Sequence, residues 1–446
     1  MRRSVLKVLT VVSASGALML VGALLLNVSA VSKPTKSAPP ANSVHERNLF
    51  AQGRDVFRND TFGDQAFWGD ALHLHKAIEG SKLGGVGPGL SPRAALAAGL
   101  KVDSALLPAA VVDAIKKGKV DLDSPKTTLA LLKLNAVVGV KGFFNKKGTL
   151  SSVGLTCAVC HSTVDNSFAP GIGRRLDGWS NRDLNVGAVI SLAPNLKPVT
   201  DLLGADAATV KKVLASWGPG KFDAKLFLDG KAFQPNGKSA ATLIPSAYGL
   251  NGVNLATYTG FGQMTYWNAF VANLEMHGQG TFFDERLNNP TQFPVATKAG
   301  LFDVRHSPDL VTPKLGALQF YQLGLAPPVP PKGSFNAAAA KRGEAIFDGK
   351  GKCSTCHVPP TYSDPGNNLH KPAEICTDSF EADRSPTHEY RTTPLRGLWA
   401  RTKGGFYHDG RFQSLGAVVD HYSSCFGLNL SARERSDLVQ YLKSIH

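Results

Sequence analysis

The chain has 446 residues, with 49 Lys and Arg against 34 Asp and Glu and a formal charge of +15. Hydrophobic residues make up 43% and charged residues 19%, which is enough apolar surface to offset ordering entropy and excludes a disordered chain. The basic residues are scattered rather than gathered in dense runs, so the excess charge does not point to nucleic acid. A basic surface turned toward an acidic partner is equally compatible. The length suits two or three domains, and 45 Gly with 27 Pro predict a mainly α, loop-rich protein rather than a long-helix bundle.

Arg2, Arg3 and Lys7 precede an uncharged stretch from Val8 to Ser32, and Val28-Ser29-Ala30 offers small residues where a signal peptidase could cut. The apolar run is also long enough to span a bilayer if retained. Residues 1–30 therefore read as a signal peptide or an N-terminal anchor over 8–28, and either reading makes the remainder exported, that is, periplasmic. The run KPTKSAPPANS at 33–43 marks residues 31–44 as a tether. No second stretch is suited to crossing a membrane.

A large first region follows at 45–326. It opens with a helix signal at Gly53–Phe67, and loops such as Gly84–Pro92 expand it. His73 and His75 are two apart, do not share a helix face, and read as structural. The proline run Pro327–Pro331 makes 327–335 a stiff linker. A compact second region occupies 336–446, with a helix-like run at Ala337–Gly349. It closes at Ser431–Ile445, where Ser431 and Glu434 make a capping box and Leu438, Val439, Leu442 and Ile445 share one face.

Six cysteines carry the chemistry. Four form two identical patterns, Cys157-Ala-Val-Cys160-His161 and Cys353-Ser-Thr-Cys356-His357. In C-x-x-C-H the two thiols lie on one side of a short turn and add across the two vinyl groups of a haem, while the adjacent His points at the iron. A redox C-x-x-C or half a zinc site would need no His at that position in both copies. Two covalently bound haem c groups are expected. Cys376 and Cys425 remain, and in an oxidising compartment they are expected to form a disulfide closing 48 intervening residues, with two buried free thiols as the alternative. Such a loop would stabilise the fold by roughly 4 kcal/mol. A helix, then C-x-x-C-H, then a terminal helix is the layout of a class I cytochrome c domain. Two such domains are therefore expected, the first expanded by insertions.

What each iron does depends on its other axial face. Met raises a haem's potential, but the methionines are Met1, Met19, Met264 and Met276, and none lies beyond Cys353. The second haem must look to His370, His388, Tyr390, Tyr407, His408, His421 or Tyr422. Between His161 and Met264 there is no His or Met, so the first haem's sixth position reads as open or water-filled.

The stretch Tyr390–Tyr422, YRTTPLRGLWARTKGGFYHDGRFQSLGAVVDHY, resembles the signature of bacterial dihaem cytochrome c peroxidases and their relatives. Those relatives include the enzyme that matures the tryptophan tryptophylquinone of methylamine dehydrogenase, and the dihaem rubber oxygenases. In the peroxidases a Met lies fourteen residues beyond the H-D-G histidine and ligates the second iron; here that residue is Tyr422. The resemblance thus implies His/Tyr ligation, as in the quinone-maturing branch, with His421 as the rival ligand. It also implies a Trp between the two haems that relays electrons, for which Trp267 is the best match and Trp217 the runner-up. Polar groups over the first haem's open face are implied as well, and His277, Gln279 and Glu285 are available in Tyr266–Arg286 beside Phe282 and Phe283. Arg391 and Arg396, within the signature, would hold haem propionates. The family often binds calcium just before H-D-G. Here Lys403-Gly404-Gly405 puts a lysine beside the cation's place, which argues against it.

Three functions follow. The first is an exported peroxidase-type oxidoreductase. Its first haem reacts with hydrogen peroxide or dioxygen, and its His/Tyr second haem exchanges electrons through Trp267 with a small redox protein or other donor. The second is a dihaem electron carrier with both irons six-coordinate and His277 as the extra ligand. The third is an oxygenase cleaving an apolar substrate, which needs a hydrophobic pocket over the first haem.

Overall fold

In the computed structural model, which describes residues 44–446, two pairs of helices cross in the same way. The expected signal or anchor (1–30, 8–28) and the tether up to residue 43 lie outside the described residues. Helix Val44–Asn59 packs on helix Leu315–Leu323, and helix Ala337–Asp348 packs on helix Ala432–Ser444. A glycine sits at each crossing. A Cβ on Gly53 would lie 1.9 Å from the Ala317 carbonyl oxygen and 2.7 Å from Tyr321 Cβ. A Cβ on Gly343 would lie 2.1 Å from the Asp437 carbonyl oxygen and 2.9 Å from Tyr441 Cβ. One turn further on, Phe57 and Phe347 are wholly buried. Their rings meet Tyr321 and Tyr441 with centroids 5.5 Å and 5.2 Å apart.

The local sequence explains the ends of these helices. Asn336 accepts from Ala339 N, and Ser431 and Glu434 form the expected reciprocal capping box. Leu438, Leu442 and Ile445 are buried together, with Val439 packed at the edge of the same cluster. The signal at Gly53–Phe67 does not continue as one helix. The helix stops at Asn59, where the Asp60 carboxylate accepts from Phe62 N. Phe62 and Gly63 then take left-handed backbone (φ 53° and 83°) before a π-helical turn at Ala66–Ala71. An Asx turn offers the backbone an alternative partner and ends the helix.

Between the crossings the chain is short helices, turns and two-stranded ladders. The described residues hold five such ladders and no wider sheet. The hairpin Val140–Phe144 with Leu150–Leu155, antiparallel with Val140 opposite Leu155, delivers the chain to Cys157. Strand Ser162–Val164 pairs antiparallel with Arg175–Asp177 just beyond His161. There Asp177 accepts from Ser162 Oγ at 2.7 Å, from Arg58 Nε at 2.5 Å and from the Tyr321 hydroxyl at 2.5 Å. The first helix crossing is thereby tied to the first C-x-x-C-H. The largest apolar core gathers residues from Trp68 to Ala241, and the C-terminal crossing has a core of its own.

A buried ionic cluster joins the two stretches. Arg384 Nε lies 2.7 Å from Asp229 and its Nη2 2.9 Å from Asp223, while Lys225 Nζ lies 2.6 Å from Glu381. All five side chains are less than 10% exposed. Charges this deep persist because each has a partner. No described helix is long and apolar enough to cross a membrane.

Candidate functional site

The two C-x-x-C-H motifs are built alike. Cys157 begins the short helix Ala158–His161, and Cys353 opens a 3-10 turn over Cys353–Thr355. All four motif thiols are free, whereas the sulfurs of Cys376 and Cys425 lie at bonding distance with Cα atoms 6.1 Å apart. His161 Nδ1 is 3.2 Å from the Pro245 carbonyl oxygen, and His357 Nδ1 is 3.0 Å from that of Tyr362. A ring N–H donated to a carbonyl fixes the tautomer and leaves Nε2 with its lone pair free. Burial reinforces this by holding His161 neutral, down to about 4, and by lowering His357 as well. These are the donors a haem iron needs.

Around them stand cations without acidic partners. Arg391 reaches only the carbonyl oxygens of Thr257 and Leu255, and burial lowers its guanidinium to about 10. Arg182 Nη1 and Arg401 Nε are buried with no hydrogen-bond partner. These three arginines sit close enough that Arg401 opposes the charge on the other two, with Tyr258 among them. Arg396 stands apart. It donates to the Gly249 and Asn251 carbonyls, and its Nε has no partner. Buried guanidinium groups without carboxylates fit an anionic ligand such as haem propionates. The free thiols, the Nε2 lone pairs and these arginines together suit a covalent haem at each motif. Arg391 and Arg396 stand within the signature. Arg182 does not, and nothing in its own neighbourhood marks it.

The segment 271–277 passes over the first motif. Met276 packs in one apolar cluster with Cys157, Phe57 and Phe62, and the Glu275 charge is felt at Cys160. Glu275 and His277 line one apolar cavity with Phe67, Trp68, Trp217, Phe227 and neighbouring aliphatic side chains. The His277 ring stacks on Phe67 at 3.6 Å, and its backbone is left-handed at φ 58°. Both Glu275 carboxylate oxygens are buried without a partner. Burial, with Asp223 adding to it, holds this carboxyl protonated well above the usual range, while burial keeps His277 neutral, down to about 4. An un-ionised acid and an unprotonated imidazole thus face the same space, with pKa values pushed apart by their surroundings.

Sequence reasoning missed Glu275. It ends a π-helical turn, Val271–Glu275, directly after the helix Met264–Phe270. The wider turn breaks the 3.6-residue spacing by which a buried face is recognised. The structure does not bring Glu285 to the cavity. That residue is exposed and accepts from the Asn288 side chain. Gln279 lies against Gly63, its N–H donating to Phe62 O, and is not a lining residue. Phe282 is buried beside Phe270 whereas Phe283 is 55% exposed. Trp267 is buried among Phe261, Tyr266 and Phe270, and its indole N–H has no partner. Trp179 stands edge-on to Trp399 across the two stretches, with centroids 6.0 Å apart.

At the second motif the candidates separate. Burial raises the Tyr422 phenol, and the charges of Cys356 and Cys353 are felt there. His421, its neighbour on helix Leu415–Cys425, turns toward the backbone of Ile375 and Cys376 and packs on Phe412. His370 Nε2 is 2.6 Å from Asp364, His388 is exposed, and His408 stacks on Tyr390. Lys403, before H-D-G, lies 2.6 Å from Asp183.

No protein-family model matches the chain. Over 128 residues it is 35% identical to the methylamine utilization protein MauG of Methylorubrum extorquens, a match covering 24% of this chain and 35% of that protein. The chain therefore matches about a third of that relative's length. Among solved structures, a MauG-like protein associated with microbial copper homeostasis overlaps 49% of this chain and 76% of its own, at 15% identity and a TM-score of 0.31. The diheme peroxidase BthA of Burkholderia thailandensis overlaps 52% and 78%, at 16% identity and a TM-score of 0.31. Hydrazine synthase of Kuenenia stuttgartiensis overlaps 50% and 85%, at 19% identity and a TM-score of 0.27. Overlaps this loose do not establish a shared fold.

Proposed function

We propose that this chain, a member of the bacterial dihaem cytochrome c peroxidase superfamily, is an exported oxidoreductase of the peroxidase type with a haem attached at each C-x-x-C-H. Bound there, the haems supply an iron open to peroxide or dioxygen at His161 and an electron store at His357. Each motif belongs to one class I cytochrome c-like unit, 45–326 and 336–446, a division supported by the two matching glycine–tyrosine helix crossings.

The chain's own groups divide the work. Cys157, Cys160, Cys353 and Cys356 anchor, and His161 and His357 present Nε2. Arg391 and its neighbours Arg182 and Arg401 neutralise propionates. Glu275, un-ionised and unpartnered, holds a proton at its carboxyl, and neutral His277 can accept one at its ring nitrogen, as breaking an O–O bond requires. The apolar lining excludes water and keeps both groups in those states. Tyr422 would be the side chain that holds the second haem's iron opposite His357, a reading supported by the charges of Cys356 and Cys353 being felt at its phenol, with His421 as the rival. Trp267 would be the side chain that relays electrons between haems held at the two motifs. A small periplasmic redox protein is the electron partner.

The observation that carries this reading is the pairing of two half-buried histidines, each with Nδ1 tied to a carbonyl, with arginines that have no acidic partner. An EPR spectrum of the ferric protein with and without peroxide tests it. The expected result is one high-spin signal that peroxide removes and one low-spin signal from the Tyr-ligated haem. Two low-spin signals indifferent to peroxide would leave only an electron carrier. A second reading, oxygenation of an apolar substrate, is favoured by the apolar character of the cavity around Glu275 and His277. Product analysis under dioxygen alone separates it from the first.

A further inference from the structure

Tyr407 stands immediately before the H-D-G triplet with φ at 70°. An aromatic side chain adopts left-handed backbone only where its surroundings enforce it, and such strain collects at functional positions. The surroundings are specific. Phe406 N donates to Phe412 O across the loop, and Phe412 packs edge-on to the Tyr407 ring at 4.8 Å. The Arg411 guanidinium lies over the ring at 5.9 Å, and His421, beside Phe412, stands edge-on at 5.6 Å. The ring is thus held from several directions, although its hydroxyl is buried with no hydrogen-bond partner at normal distance and angle. The group that hydroxyl faces is the phenol of Tyr422, whose ring is 6.1 Å away at 38°. A strained, clamped tyrosine with an unpaired buried O–H is a donor waiting for a stronger acceptor, and a metal-bound phenolate is one.

We propose that Tyr407 is a positioning residue whose O–H donates to the phenol oxygen of Tyr422 when that oxygen ligates the second haem. The donated hydrogen bond fixes the plane of the Tyr422 ring and draws electron density off its oxygen, making the ligand a weaker donor to iron. Tyr422 in turn stacks on Phe426, with centroids 5.6 Å apart and planes 13° from parallel, so its orientation is held from two sides. The proposal rests on Tyr422 being the ligand.

The test compares Tyr407→Phe with Tyr422→Phe in the haem-loaded protein. The readouts are the second haem's reduction potential and its phenolate-to-iron charge-transfer band. Tyr407→Phe keeps the ring packing and is expected to lower that potential and move the band to longer wavelength, because the phenolate becomes a stronger donor. Tyr422→Phe is expected to abolish the band. Replacing Tyr407 by 3,5-difluorotyrosine, a stronger hydrogen-bond donor, is expected to shift both readouts the opposite way, and it serves should the Phe variant fold poorly. If Tyr422→Phe leaves the second haem unchanged, the ligand assignment fails. If Tyr422→Phe abolishes the band but both Tyr407 variants leave potential and band where they were, the positioning role alone is overturned.

Discussion

Gly343 faces the carbonyl oxygen of Asp437 so closely that a Cβ there would sit 2.1 Å from it. The obstacle is backbone, so no rotamer change relieves it. Gly343→Ala forces the Ala337–Asp348 and Ala432–Ser444 helices apart and should cost about 3 kcal/mol, the upper part of the usual overpacking range. Gly53→Ala meets the Ala317 carbonyl at 1.9 Å and should behave alike. Urea midpoints of the haem-loaded variants measure this, and losses below about 0.5 kcal/mol would be inconsistent with such contacts.

Arg384 is the hub of the buried ionic cluster. Arg384→Met leaves Asp223 and Asp229 buried with their main cation gone. Removing one partner of a buried ion pair costs about 3–5 kcal/mol. Because Asp229 and Arg384 belong to different stretches, the variant should also lose the single cooperative unfolding transition, which calorimetry would show as two peaks.

Asp64 is fully buried against the chain leading to Cys157, and its carboxylate accepts from Leu155 N at 3.1–3.2 Å. Burial raises its carboxyl to about 9, outweighing the Leu155 hydrogen bond that favours the anion. The folded state therefore keeps a proton that the unfolded chain releases near pH 4. Stability from this group is fully present below about pH 4 and falls as pH rises toward 9. Asp64→Asn, which copies the protonated form, should flatten that slope and raise the melting temperature at pH 8. A variant with an unchanged slope would show the carboxyl ionised at neutral pH.

The paired Cys376 and Cys425, 49 positions apart, close a loop that follows the second motif and contains the H-D-G triplet. The double variant Cys376→Ser, Cys425→Ser should lose roughly 4 kcal/mol by loop entropy. A matching loss in the parent on adding reductant identifies the cross-link as the cause. Equal stability with and without reductant in the parent would argue for free thiols.

Trp267→Phe should slow electron exchange between the two haems while leaving both absorption spectra unchanged, as expected for a side chain that relays without ligating. Trp399→Phe provides the control. The opposite pattern in stopped-flow reduction would move the relay to the Trp179–Trp399 contact.

What the sequence determined by itself is the chemistry set by adjacency. Two thiols and a histidine within five residues and a capping box three residues across each carry their meaning locally, and the spare pair of cysteines carries its meaning by count; the capping box and the pair form as expected. Tertiary structure decided everything that depends on which loop is buried against which. It exposed Glu285 and buried Glu275, because a π-helical turn changed the face presented to the core. It gathered Arg182, Arg391 and Arg401, and it set Tyr407 against Tyr422. Residues so distant in the chain leave no spacing to read, because their meeting is fixed by helix crossings and packed loops rather than by the geometry of any single element.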